Sequence, residues 1–271
     1  MTARISFILR KTRAHRARLT AKLRFMEGGF AQQYGALERW HWWFRGRQRI
    51  LESVLSRELG QKLPSRIVSI GCGPAEGLAW LGSFRKTGGW IVGLDSDPIH
   101  ARRLGPGLEY VIGNIETGPF APGTFDLVLM LDVLEHLDKD TFALREALRL
   151  VAPGGILMVT VPALPSLWGG QDVVSNHYRR YTRRSLLRAF REAGVSEPHV
   201  SYFNALLFPP IALVRWSRRA IGMGFRSRTD FDDSRPGAVN ELLTRLFALE
   251  RYWIGRVPVP VGVSLLATAR L

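Results

Sequence analysis

The sequence predicts an α/β fold, a seven-stranded and mostly parallel sheet with helices on both faces. Three observations carry this. Short apolar runs alternate with short helical stretches between residues 66 and 161, the pattern of right-handed strand–helix–strand crossovers. The first run, Ile67-Val68-Ser69-Ile70, passes straight into a Gly71-Cys72-Gly73 turn. Two late runs, 198–203 and Val263 to Ala269, read as a sixth strand and a seventh returning beside it after an insertion.

In chain order, residues 1–30 are expected to form a basic arm, either an amphipathic helix on a membrane surface or a solvated tail. Residues 31–271 are expected to form one domain. Its core covers about 64–161, a substrate-side loop covers 162–181, and a cap or insertion covers about 204–255. The aromatic block Trp40-His41-Trp42-Trp43-Phe44 opens a helix that continues through Ile50, Leu51, Val54 and Leu55 and is stopped by Pro64. That block reads equally as a lid over a pocket or as a staple onto the core. Strands follow at 67–70, 90–94, 109–112 and 125–131, with helices near 76–84, 98–103 and 140–150. Pro153-Gly154-Gly155 reads as a tight turn into a fifth strand, Ile156 to Val161. Thr182 caps a helix ending near Gly194. Segment 204–236 is apolar, proline-broken and arginine-rich, and an amphipathic helix covers 238–253.

The charge balance is strongly basic, with 38 Lys and Arg against 23 Asp and Glu and a formal net charge of +15. Arginines cluster in the N-terminal arm, between Arg179 and Arg191, and between Arg215 and Arg228. Such a surface attracts nucleic acid, anionic lipid head groups or phosphorylated substrates; an arginine-rich coding bias is the bland reading. The single cysteine, Cys72, excludes a disulfide within the chain and fits a reducing compartment. No secretory signal and no bilayer-length apolar run is evident. The expected location is cytoplasmic, peripheral on the inner face of the membrane.

An apolar strand entering a Gly-x-Gly turn lets backbone approach a ligand closely, and Asp95, at the end of the second strand, stands where it can hold a ribose. Further blocks follow in order: Gly113-Asn114, Phe125-Asp126-Leu127-Val128, Asp132-Val133-Leu134-Glu135-His136-Leu137 and Ala152-Pro153-Gly154-Gly155. Over about residues 40–200, and in the final strand, this spacing resembles that of class I S-adenosylmethionine-dependent methyltransferases. The resemblance implies a Rossmann-like sheet, S-adenosyl-L-methionine as cofactor and methyl transfer as the reaction. The blocks Trp42-Trp43-Phe44-Arg45-Gly46-Arg47 and His177-Tyr178-Arg179-Arg180-Tyr181-Thr182 resemble a bacterial subgroup linked to surface-polysaccharide or lipid pathways.

The resemblance implies roles residue by residue. Amides of the Gly71 to Gly73 turn would approach the methionine carboxylate and ribose, with Cys72 a small filler rather than a nucleophile. Asp95, with Ser96 beside it, would accept from two ribose hydroxyls. Asn114 would contact the adenine amino group and the Ile115 backbone the ring nitrogen. Asp132 and Val133 would lie beside the methionine portion. Ser69 and Ala75 depart from the acid and glycine usual at those positions. His136 and His177 are candidate bases, and both also read as structural. Asp132, Glu135 and His136 share a face that could hold a divalent ion, as similar spacing does in ubiquinone-pathway O-methyltransferases; the expected site is metal-free. Trp42, Trp43, Trp168, Asp172, Tyr178, Arg179 and Tyr181 are expected to face the substrate. The acceptor is expected to be a small or lipid-linked molecule methylated at oxygen, with an anionic membrane surface as a further partner. The alternatives are an RNA or protein methyltransferase using the arginine clusters, or a non-catalytic binding member. No RNA-binding module is recognisable.

Overall fold

The computed structural model describes residues 36–98, 107–221 and 235–271, without the side chains of Ala75 and Glu76. The basic arm lies outside the described residues, and the helix near 98–103 almost wholly so. Seven strands form one sheet: β1 (Arg66–Ile70), β2 (Trp90–Asp95), β3 (Leu108–Ile112), β4 (Phe125–Leu131), β5 (Val151–Pro162), β6 (His199–Phe203) and β7 (Ser264–Arg270). Their order is β3-β2-β1-β4-β5-β7-β6, with β7 antiparallel to both neighbours and all other pairs parallel. This is the Rossmann-like arrangement expected. The chain runs outward from β1 through β2 to β3, then places β4 on the other side of β1. The carboxyl ends of β1 and β4 therefore flank the switch point, where open α/β sheets leave a crevice.

The sheet is buried on both faces, so its strands read as continuous apolar runs. Side chains alternate between two cores. Val68, Ile70, Val128 and Met130 enter one core, closed by α2 (Asp140–Leu150) and α4 (Arg183–Ala193). Ile67, Leu127, Leu129 and Met158 enter the other, closed by α1 (Trp42–Leu59), the 3-10 segment Ala75–Phe84 and α6 (Ala238–Ala248). Thr182 caps α4 and Gly194 ends it, as the sequence predicts.

Several elements differ from expectation for local reasons. The segment after the glycine turn is 3-10 rather than α, and it carries Gly77 and Gly82, residues that weaken an α-helix. Helix α1 stops at Leu59 on Gly60, whose φ is +57°, before Pro64 is reached. Strand β5 starts at Val151, and Pro153-Gly154-Gly155 sits inside it as a bulge between the Phe125 and Leu127 register positions. The substrate-side loop holds a 3-10 turn, Pro165–Leu167, and the short helix α3 (Gly170–Val174). Pro209 and Pro210 do not break the described part of that segment, 204–221. They lie in the first turn of α5 (Phe208–Ala220), where backbone N–H groups have no helical acceptor to lose.

Helix α6 fixes the position of α1. Asn240 Oδ1 accepts from the Trp42 amide at 2.8 Å, and its Nδ2 donates to the Trp40 carbonyl at 2.7 Å. A Cβ on Gly46 would lie 2.5 Å from the Phe247 ring, which is fully buried and stacks on Phe203. Gly46→Ala gains about 1 kcal/mol of helix propensity, whereas overpacking costs about 1–3 kcal/mol. A net loss of about 1 kcal/mol is therefore expected in urea unfolding; a gain would show that α1 and α6 separate freely.

Candidate active site

The crevice at the switch point opens into a cavity of about 790 Å³. One end is built by the glycine turn. Gly71 and Gly73 have φ of +61° and +59°, a conformation glycine adopts without strain. A Cβ on Gly71 would lie 2.6 Å from Val133, so the ends of β1 and β4 touch here, whereas one on Gly73 would meet only open space. Asp95 stands at the end of β2. Its Oδ2 accepts from the Gly73 amide at 2.8 Å and its Oδ1 from the Asp97 amide at 2.9 Å. Each oxygen keeps a lone pair, enough for two hydroxyl donors. Gly71, Cys72, Gly73, Asp95 and Ser96 all line the cavity, as does the buried Ser69. A nucleoside with a neighbouring carboxylate fits this cradle. The Cys72 thiol is pushed well above its ordinary range by burial and then by Asp95, so it stays neutral. It packs where a Cβ on Gly93 would come within 2.7 Å of its sulfur, a filler's position.

Asn114 and Ile115 lie on the turn that follows β3. Asn114 Oδ1 caps the 3-10 turn Ile115–Thr117 by accepting from the Glu116 amide at 2.9 Å. The Ile115 side chain is buried in the core. Neither lines the cavity, and Glu116 does.

The middle of the cavity is the end of β4. Asp132 and Val133 line it, and Asp132 sits at φ +57°. That conformation is held by its surroundings: the Asp132 amide donates to the Thr160 carbonyl at 2.9 Å, and the Thr160 hydroxyl donates to Oδ1 at 3.2 Å. Arg47, reaching from α1, pairs with Asp132 at 2.6 Å, donates to Thr160 Oγ1 at 3.0 Å and lies over the Trp43 ring. Trp42, Trp43 and the buried Phe44 all line the cavity, and Trp42 and Trp43 also pack against the core beneath it. The aromatic block thus supplies both a wall and a staple.

The far end is built from the turn after β4 and the loop after β5. Glu135 and His136 lie on the 3-10 turn Leu134–His136. The His136 and His177 rings meet edge to face with centroids 4.7 Å apart. Both histidines, Glu135 and Tyr178 line the cavity. Burial first, and Asp132 second, push the Glu135 carboxyl well above its usual range. Burial and then His177 lower His136 to about 3, so its ring is neutral near pH 7. Glu135, His136 and His177 each offer one ligand atom, all within 4.8 Å of one another. Asp132 is not in that group, and its carboxylate pairs with Arg47.

Asp172 does not face the cavity. It is fully buried on α3. Its Oδ1 receives His177 Nδ1 at 2.8 Å and Arg180 Nε at 2.7 Å; its Oδ2 accepts from the Gly169 amide at 2.8 Å and faces Arg215 at 3.6 Å. Burial alone would raise its pKa, but His177, Arg180 and Arg215 outweigh that and hold it at about 2. Tyr181 also turns inward, donating to Asp140 Oδ2 at 2.7 Å, and Arg179 pairs with the same carboxylate at 3.0 Å. Trp168 follows the Pro165–Leu167 turn and does not reach the cavity. Arg47, Arg180 and Arg215 are the residues that sequence reasoning passed over. Arg180 lies within the quoted His177 to Thr182 block, and Arg215 is the one charge inside an otherwise apolar run, Leu206 to Trp216.

A methyltransferase domain family matches residues 42–196. A protein of Mycolicibacterium smegmatis named as an S-adenosylmethionine-dependent methyltransferase is 24% identical over 225 residues, covering 74% of this chain and 85% of that protein. One of Mycobacterium sp. (strain KMS), named as a methyltransferase, is 28% identical over 221 residues, covering 76% and 82%. Among solved structures, an S-adenosylmethionine-dependent methyltransferase of Thermotoga maritima shares the fold with a TM-score of 0.52 at 18% identity, covering 89% of this chain and 97% of that one. Phosphoethanolamine N-methyltransferase 2 of Haemonchus contortus, solved with phosphomonomethylethanolamine and S-adenosylhomocysteine, shares it with a TM-score of 0.52 at 15% identity, covering 81% and 52%. The domain match spans more than half of the chain and falls on the cavity just described, and on that ground the chain belongs to the class I S-adenosylmethionine-dependent methyltransferases.

Proposed function

We propose that this enzyme methylates a hydroxyl oxygen of a small or lipid-linked acceptor, with His177 as the base. The carrying observation is the Asp172–His177 pair, 2.8 Å apart, at the end of the cavity remote from the glycine turn. In this reading Asp95 and the Gly71 to Gly73 amides hold S-adenosylmethionine, which supplies an electrophilic methyl group. Asp132 and Val133 bound the space between cofactor and acceptor. Asp172 is ionised, so it keeps the His177 proton on Nδ1 and leaves the Nε2 lone pair to take the acceptor's hydroxyl proton. The imidazolium that forms is then paired with a carboxylate already in place. His136, neutral and edge-on to His177, adds no opposing charge. Trp42 and Trp43 exclude water from one wall.

Four outcomes are expected. Asp95→Ala lowers affinity for S-adenosylhomocysteine at least about tenfold in calorimetry, from the loss of two charge-assisted hydrogen bonds. His177→Ala keeps that affinity and lowers transfer of labelled methyl into a small-molecule extract by about 10²–10⁴. The product carries a methyl ether by mass spectrometry; an N-methyl or C-methyl product, or unchanged turnover in His177→Ala, overturns the reading. His136 has a folded-state pKa below its unfolded value of about 6.5. Between pH 6.5 and 3 the unfolded chain therefore binds a proton that the folded chain does not, and stability falls as pH falls. Urea midpoints measured at pH 7, 6 and 5 should show a shallower decline in His136→Gln than in the parent.

A further inference from the structure

The outer face of α5 is apolar along its whole length. Apart from Ser217 on that face and Arg219 beside it, the exposed positions of the helix are apolar: Pro209, Pro210, Leu213, Val214, Ala220 and Trp216, whose indole N–H donates to the Ser166 carbonyl at 3.2 Å. These fall at helical spacing on one side, opposite the buried Ala212 and the largely buried Arg215. Leu206 before the helix and Ile221 after it extend the surface, and Leu213 and Ile221 are each 67% exposed. Side chains of this kind scattered singly need no explanation, but a continuous face of them does.

The face has a fixed orientation and a defined relation to the site. Arg215, on the inner side, donates to the Leu167 carbonyl at 2.5 Å and faces Asp172, so α5 cannot roll to bury its outer side. Pro210 and Val214 are exposed and also line the cavity, so the apolar surface runs without interruption into the cavity wall. Arg218 and Arg219 lie at its flanks near the C-terminal end, in a chain of net charge +15. An apolar helix face edged by arginines complements the acyl–headgroup boundary of an anionic bilayer. No described helix is long and apolar enough to cross a membrane, and α5 has only 13 residues.

We infer that α5 seats on an anionic bilayer and that the acceptor is an amphiphile entering the cavity from the membrane past Pro210 and Val214. The acceptor part of this inference rests on the methyl-transfer reading above; the docking part stands without it. The test is flotation of the full chain with phosphatidylcholine vesicles with and without phosphatidylglycerol. Binding is expected to the anionic vesicles. It should fall at least about tenfold in the doubly substituted Leu213→Glu, Ile221→Glu chain, since two exposed apolar side chains lose their place in the boundary. Arg219→Glu should weaken binding severalfold at low salt, and that deficit should shrink as salt is added. Both substituted leucine and isoleucine positions are exposed, so thermal unfolding and S-adenosylhomocysteine affinity should be unchanged. Vesicle binding that survives the double substitution, and is lost only on deleting residues 1–26, overturns the docking face. Loss of self-association in that variant, seen by sedimentation without vesicles, also overturns it and assigns the face to a second copy. Intact cofactor binding with no vesicle binding defeats this inference and leaves the methyl-transfer reading standing.

Discussion

Asp172 is the interaction on which the acceptor side of the molecule depends. A carboxylate with no exposed surface is held only because Arg180, Arg215, His177 and the Gly169 amide surround it. Stripping partners from a buried charge costs roughly 3–5 kcal/mol, so the group acts as one unit. It joins three separate stretches of chain: the loop after β5, the block from His177 to Thr182, and α5. Arg180 carries the link further, donating to the Ala163 carbonyl at 2.9 Å at the end of β5. The orientation of His177, the shape of the cavity end and the outward presentation of the apolar face of α5 all follow from this single buried charge.

A second ion pair does similar work at the switch point. Arg47 brings α1 to the end of β4 by pairing with Asp132, and Thr160 holds the other carboxylate oxygen. Asp132 tolerates a left-handed backbone better than most residues, and here that conformation turns the chain sharply toward Leu134–His136. The aromatic block is therefore not an independent flap. Gly46 lets α1 approach Phe247, Arg47 locks it to the sheet, and Trp43 lies under the guanidinium. Lid and core staple, two readings open at the sequence level, are two faces of one helix.

The cavity is electrically asymmetric. Near the glycine turn it presents amides and the Asp95 carboxylate, groups suited to hydroxyls and a carboxylate. Toward the far end it presents a neutral histidine, a carboxyl driven toward its protonated form by burial, and a histidine backed by an ionised aspartate. Groups of one type pushed in opposite directions mark places where protons are managed.

The sequence by itself determined the parallel sheet, the glycine turn, Asp95 and the Thr182 and Gly194 caps, because each depends on local periodicity or on one residue's backbone preference. It also marked the carboxyl end of β4, where Asp132 and Val133 line the cavity. It did not show that Asn114 caps the next turn, because a side chain that can reach a ligand can equally cap, and nothing in the local pattern separates the two. It misjudged Pro209 and Pro210, because proline breaks a helix interior but suits a helix start. Only the tertiary structure decided that Asp172 and Tyr181 face inward and that Arg47 and Arg215 hold the site together. The partners of Arg47 lie 85 and 113 residues away in the chain, at Asp132 and Thr160, and Arg215 lies 43 residues from Asp172. A buried charge is placed by partners that only the folded sheet brings together, and spacing along the chain carries no record of them.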